Sequence, residues 1–231
     1  VSRNVAYAPA YTIMGGTTSI LGLFEPADTP KVEPCVAGLA RNLDWASGFH
    51  GPGVGKERIA NVLGVAGVRL MHDEAAGLPV NVFVQMPSCV PSAPGLENAG
   101  AAITPENVAD AMTWPNIIGL GEMMNFPGVI NGDPQMLAEI AATQRAGKTV
   151  GGHYAAPDLG PPFHAYAAGG PADDHEGTNL DDCIARVRQG MRAMLRLGSA
   201  WYDVAAQIKA VTERGIDSRN IILCTDDSHS G

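Results

Sequence analysis

Gly121-Glu122-Met123-Met124-Asn125 closes an apolar run, Asn116-Ile117-Ile118-Gly119-Leu120, and a helix start follows soon after it. A carboxylate placed where a buried strand ends is costly unless a partner offsets its charge. Three later segments repeat the arrangement. Lys148-Thr149-Val150-Gly151-Gly152-His153 ends in a histidine, and Asp173-Asp174-His175-Glu176 sets another among acids. Asn220-Ile221-Ile222-Leu223-Cys224-Thr225-Asp226-Asp227 ends in two aspartates. Glu122, His153, His175 and Asp226 thus offer hard-to-borderline metal ligands at the C-terminal ends of short strands.

Working outward from these strand ends, the pattern alternates. Strands are expected near residues 17, 82, 118, 150, 172, 194 and 222, with helical stretches between them. The stripe Ile59, Val62, Leu63, Val65, Val68 and Leu70 predicts a helix over 57–74. Thr104-Pro105 and Asp133-Pro134 are helix starts, each a capping residue followed by proline. Thr178 with Asp181 resembles a capping box, and Trp201 to Val211 reads as one final helix. Alternation at this spacing implies parallel βαβ units. The expected fold is α/β, a TIM-type (β/α)8 barrel incomplete in this chain, with about seven strands and one missing before the first helix. Residues 22–58 carry Pro26, Pro30, Pro34 and Pro52 without clear periodicity. They read as an atypical insertion or lid within a partial barrel covering 1–231.

Bulk composition narrows the function classes. The 231 residues suffice for one large α/β domain. A net charge of −9 and the lack of any Lys/Arg cluster argue against nucleic acid and anionic membrane as partners. No apolar run approaches the roughly 18 residues of a membrane span. Cys35, Cys89, Cys183 and Cys224 are scattered without a Cys-x-x-Cys pair, as in a reduced cytoplasmic protein.

Four blocks carry a resemblance: Asn61-Val62-Leu63-Gly64, Pro87-Ser88-Cys89-Val90-Pro91, Gly119-Leu120-Gly121-Glu122-Met123-Met124-Asn125 and Cys224-Thr225-Asp226-Asp227. Together they resemble bacterial adenine deaminases of the amidohydrolase superfamily, from about Ile59 to His229. The resemblance implies an amidohydrolase-type barrel holding a binuclear divalent metal centre, with Mn2+ or Fe2+ expected and Zn2+ the alternative. It implies that Glu122 bridges the metals, that His153 and His175 ligate one of them, and that Asp226 binds metal and handles the proton of the attacking water. The implied reaction is hydrolytic deamination of adenine to hypoxanthine and ammonia. The alternatives are another hydrolase of the superfamily acting on a modified purine or cyclic amide, or a non-catalytic barrel serving as a binding module.

Two departures stand out. The family's His-x-His pair would lie upstream of Val1, and its Asp-Pro-His-Glu block is replaced here by Gly55-Lys56-Glu57-Arg58. Asp226 and Glu176 are the catalytic candidates, with Ser88 and Cys89 as candidate substrate contacts. No histidine is an obvious partner for Cys89 as a nucleophile, and a metal-activated water makes one unnecessary. His50, His72, His164 and His229 read as surface groups. The expected partners are a small purine substrate and further copies of the same chain.

Overall fold

A computed structural model describes residues 58–76, 83–91, 100–198, 201–224 and 226. The strand near residue 17, the insertion or lid at 22–58 (Arg58 apart) and Asp227 lie outside the described residues. The described chain is mixed α/β with parallel sheets. Helices α1 (Arg58–Leu63) and α2 (Val65–Ala75) precede β1 (Val84–Met86). Then come α3 (Pro105–Ala111), β2 (Ile117–Met123), α4 (Phe126–Asn131), α5 (Pro134–Arg145) and β3 (Thr149–Gly152). The second half runs α6 (Pro161–Ala168), β4 (Asp173–Asp174), α7 (Leu180–Arg188), β5 (Arg192–Arg196), α8 (Val204–Gln207), α9 (Lys209–Thr212) and β6 (Ile221–Cys224).

The strands form two three-stranded parallel sheets, in the orders β1-β2-β3 and β4-β5-β6. The sheets meet where the Ala172 amide donates to the Val150 carbonyl at 2.8 Å, and the Arg192 amide donates to Ala172 at 2.9 Å. Each strand therefore lies beside its neighbour in sequence, with helices as connections. Glycine permits the tightest approaches. A Cβ at Gly119 would stand 2.2 Å from the Thr149 carbonyl oxygen, and one at Gly152 would stand 2.0 Å from that of Asp173.

Helix starts follow local chemistry. The Thr104 side chain accepts from the Asn107 amide, and the Asp133 side chain accepts from Gln135 and Met136. Asn125 caps α4 by accepting from Gly128. The stretch after Glu122 thus turns from strand to helix within three residues.

Three helix expectations change. The helix expected over 57–74 breaks at Gly64, whose φ of 59° is left-handed. Its buried face carries Ala60, Val68 and Met71, whereas Val62, Leu63 and Leu70 are exposed. The N-cap of α7 is Asn179, which accepts from the Asp181 and Asp182 amides, and the Thr178 amide donates to Asp182 rather than Asp181. The final helix is two short ones, α8 and α9.

The first sheet buries Ile117, Leu120, Met123 and Val150 in the larger core, with Phe163, Tyr154 and Tyr166 behind them. Each such aliphatic side chain contributes about 1.5–3 kcal/mol. A smaller core of Cys183, Ala193, Leu195 and Ala210 serves the second sheet. Within each sheet the described strands are parallel, so their C-terminal ends share an edge, and the polar strand-end residues Glu122, His153, His175 and Asp226 gather together.

Candidate metal centre

Glu122 sits at the end of β2, His153 directly after β3 and His175 directly after β4. Glu122 is 1% exposed, His175 4%. One carboxylate oxygen, Glu122 Oε2, lies 2.8 Å from His153 Nδ1 and 3.0 Å from His175 Nε2. The two ring nitrogens are 3.3 Å apart. Hydrogen bonds satisfy such a triangle poorly, because protons on both nitrogens would face each other. A cation satisfies it well. With metal–ligand bonds of about 2.1 Å, two ligands stand about 3.0 Å apart at a right angle and about 3.4 Å apart at the tetrahedral angle. Two of the separations, 3.0 Å and 3.3 Å, fall in that range and the third, 2.8 Å, lies just below it, and two imidazoles with a carboxylate suit a first-row divalent ion.

A second group adjoins the first. His175, Glu176 and Asp226 can bring one ligand atom each within 4.8 Å of the others. Glu176 Oε1 lies 3.3 Å from His175 Nε2 and 3.5 Å from His153 Nδ1. Asp226 follows β6 with a φ of 52°, a left-handed backbone that aspartate tolerates better than most side chains. The five polar candidates from the strand ends thus come together. Ser88 and Cys89 are buried after β1, and the Ser88 hydroxyl donates to the Glu122 carbonyl at 2.6 Å. That bond ties the end of β1 to the end of β2.

Several supporting residues escaped sequence reading. Asp174 is fully buried; one oxygen accepts from the Tyr154 amide at 2.6 Å, the other from the Glu176 amide at 2.7 Å and from Arg186 Nε at 3.0 Å. It therefore clips the residue after His153 to the residue after His175. The Tyr166 hydroxyl donates to the Met123 carbonyl at 2.9 Å and accepts from the His153 amide at 2.8 Å. Burial first, then the charge of Asp174, raises its pKa well above 10, so the phenol remains a donor. Arg196, at the end of β5, reaches Glu176 at 2.6 Å, Asp226 at 3.0 Å and Asp203 at 3.0 Å. Its Nη2 approaches Asp203 without hydrogen-bond alignment, and it is Nε that donates to that carboxylate at 3.1 Å. Burial by itself would lower the Arg196 pKa, but the charges of Glu176, Asp226 and Asp203 outweigh it and leave the pKa raised. The signal that marked Glu122, a charge closing a buried strand, also marks Arg196. A guanidinium offers no lone pair to a metal, so a pattern of ligand types alone passes over it.

Cys224 is pushed up to about 12, by burial first and the Asp226 charge second, so it is no thiolate nucleophile. His164 is exposed, as expected. His72 is buried instead, with Nε2 2.6 Å from the Pro115 carbonyl and Nδ1 2.9 Å from Asp73. It joins α2 to the loop before β2. Among the described residues, no helix is long and apolar enough to cross a membrane.

No protein-family model matches the chain. Individual proteins do. Over 178 residues it is 75% identical to adenine deaminase 3 of Rhizobium meliloti, covering 77% of this chain and 30% of that protein. Over 172 residues it is 79% identical to the adenine deaminase of Ruegeria pomeroyi, covering 74% of this chain and 28% of that one. The adenine deaminase of Moorella thermoacetica is 54% identical over 171 residues, 74% of this chain and 29% of its own length. The chain spans under a third of the length of these curated relatives. Over about three quarters of its length it is an adenine deaminase-like sequence, corresponding to one segment of those longer proteins.

Proposed function

We propose that this chain forms part of a metal-dependent aminohydrolase that converts adenine to hypoxanthine and ammonia. The observation that carries the reading is the triangle of Glu122, His153 and His175, a ligand set with coordination spacing at the C-terminal strand ends. The names of the similar proteins support adenine as substrate. Two three-stranded parallel sheets, each in sequential order among the described residues, support an amidohydrolase-type (β/α)8 barrel for the whole protein. Glu122, His153, His175 and Asp226 would hold a binuclear centre of Mn2+ or Fe2+, with Zn2+ as the alternative. Bound there, a divalent cation supplies a water of lowered pKa and a Lewis acid at neutral pH.

The chain's own residues would do the rest. In the overall reaction a water oxygen bonds to C6 of the purine, and the exocyclic nitrogen leaves as ammonia. Asp226 would accept a proton from the attacking water and pass it to the departing nitrogen. Glu176, held by Arg196, would stand beside it. Asp174 and Tyr166 would position the two histidines through the backbone on either side.

Replacing Glu122 by Gln in the full-length protein tests the reading. The variant keeps the size of the side chain and removes the anionic ligand, so metal content and adenine turnover should fall together while the circular dichroism spectrum is unchanged. Elemental analysis and ammonia release measure both. Normal metal content with normal turnover would remove Glu122 from the site.

A further inference from the structure

Helix α7 contributes no ligand, yet one of its side chains reaches the turns that carry both histidines. Arg186 is buried, and its three nitrogens bond in three directions. Nη1 donates to the Asp182 carbonyl at 3.1 Å, one turn back, which fixes the guanidinium to its own helix. Nε donates to Asp174 at 3.0 Å, and Nη2 donates to the Tyr154 carbonyl at 3.2 Å. Asp174 in turn accepts from the amides of Tyr154 and Glu176. Both backbone groups of the residue after His153 are therefore held, the N–H by Asp174 and the C=O by Arg186. The turn after His175 lies close over the same side chain, since a Cβ at Gly177 would stand 3.4 Å from Arg186 Nε. A buried ion pair is a poor source of stability, because desolvating both charges offsets much of their attraction. What a rigid, planar guanidinium does supply is direction.

We propose that Arg186 is a positioning residue of the metal centre: from α7 it holds the turns carrying His153 and His175, so that the two imidazoles stand at coordination spacing before an ion arrives. The proposal rests on the metal-centre reading above and concerns the loading of the centre as a whole. Ligands that are ordered beforehand lose little freedom when the ion binds, so each tie that orders them raises affinity. Without Arg186 the Tyr154 carbonyl loses its buried donor and Asp174 loses its counter-charge. The ion itself would then have to order the two turns.

The test is a Mn2+ titration of the chelator-stripped full-length protein, read as the free Mn2+ concentration at half-loading, beside the urea midpoint of the stripped protein. Arg186→Lys keeps the charge that faces Asp174, but its single nitrogen cannot serve Asp174, Tyr154 and Asp182 together. It should raise the half-loading concentration by about 10–100-fold, the usual weight of a group that orients metal ligands. Asp174→Asn has one acceptor oxygen in place of two and releases one of the turns, so it should act in the same direction and carries the test should Arg186→Lys not fold. Ala210→Gly is the control: it weakens the small core under α7 from helix α9, so it should lower the urea midpoint and leave half-loading within about twofold. A merely structural Arg186 predicts otherwise. Unchanged half-loading in the folded Arg186→Lys and Asp174→Asn variants, or an equal shift in Ala210→Gly at a matched loss of urea midpoint, overturns the proposal and leaves the metal centre standing. An unmodified protein that takes up no Mn2+ overturns both.

Discussion

Asp226 shows how backbone and chemistry meet in one residue. Its φ of 52° lies in the left-handed region, where Asn and Asp are tolerated far better than Ala. Asn is therefore the clean replacement, whereas Ala would mix backbone strain with lost chemistry. Asp226→Asn keeps an oxygen ligand and removes the basic site. Metal should largely remain while adenine turnover falls by roughly 10²–10⁴-fold, the usual weight of general acid–base catalysis. Ammonia release alongside elemental analysis checks this, and an active Asp226→Asn variant would give the proton-handling role to another group. At this scale the sequence was most legible where a titratable side chain closes an apolar run, as at Glu122 and His153. It was least legible where a side chain acts on distant backbone. Asp174 bonds the Tyr154 amide 20 residues away and Tyr166 bonds the Met123 carbonyl 43 residues away, and no local pattern encodes either.

Among elements, the decisive contact is the bare crossing of β3 by β4. A methyl group at Gly152 would stand 2.0 Å from the Asp173 carbonyl oxygen and 3.3 Å from the Pro171 side chain. Backbone cannot give way as a flexible side chain can. Gly152→Ala should therefore separate β3 from β4, costing several kcal/mol of stability and loosening the spacing of His153 and His175. Urea denaturation together with Mn2+ titration checks this, and a variant with native stability and native ion affinity would show that the joint can yield. Helix starts with a capping residue before proline were readable because the capping bond is local, as Thr104 and Asp133 show. The start of α7 was misplaced by one residue, since Asn179 and Thr178 are both good caps and only the paths of their neighbours decide. The break at Gly64 was hidden by an apolar stripe that continues through it.

For the molecule as a whole, Glu139 ties stability to pH. It lies fully buried in α5, with Gln135 Nε2 donating to one oxygen at 3.1 Å and the other oxygen left unpartnered. Burial first, against the Gln135 bond and with help from the Asp133 charge, raises its pKa from an ordinary 4.5 to about 7. The folded state thus holds this proton more tightly than the unfolded chain does. Its favourable contribution is fully present below about pH 4.5, declines as pH rises through that value, and is lost once pH passes about 7. Glu139→Gln should match the unmodified protein near pH 4.5 and exceed its stability at pH 8 by up to roughly 3 kcal/mol. Urea denaturation at the two pH values decides it, and a difference independent of pH would show that the buried acid ionises freely. The parallel α/β character was readable from alternation alone, whereas the meeting of the two sheets was not, because it rests on close backbone approaches between Gly152 and Asp173. The neighbour-by-neighbour order of the strands also bears on assembly. Glu122, His153 and His175 are separated by 31 and 22 residues of sequence. Such contacts between parallel strands are non-local, so each must await the pairing that closes the chain between them. All three side chains precede Asp226 in sequence, so the triangle draws on β2, β3 and β4 and needs no residue of β6.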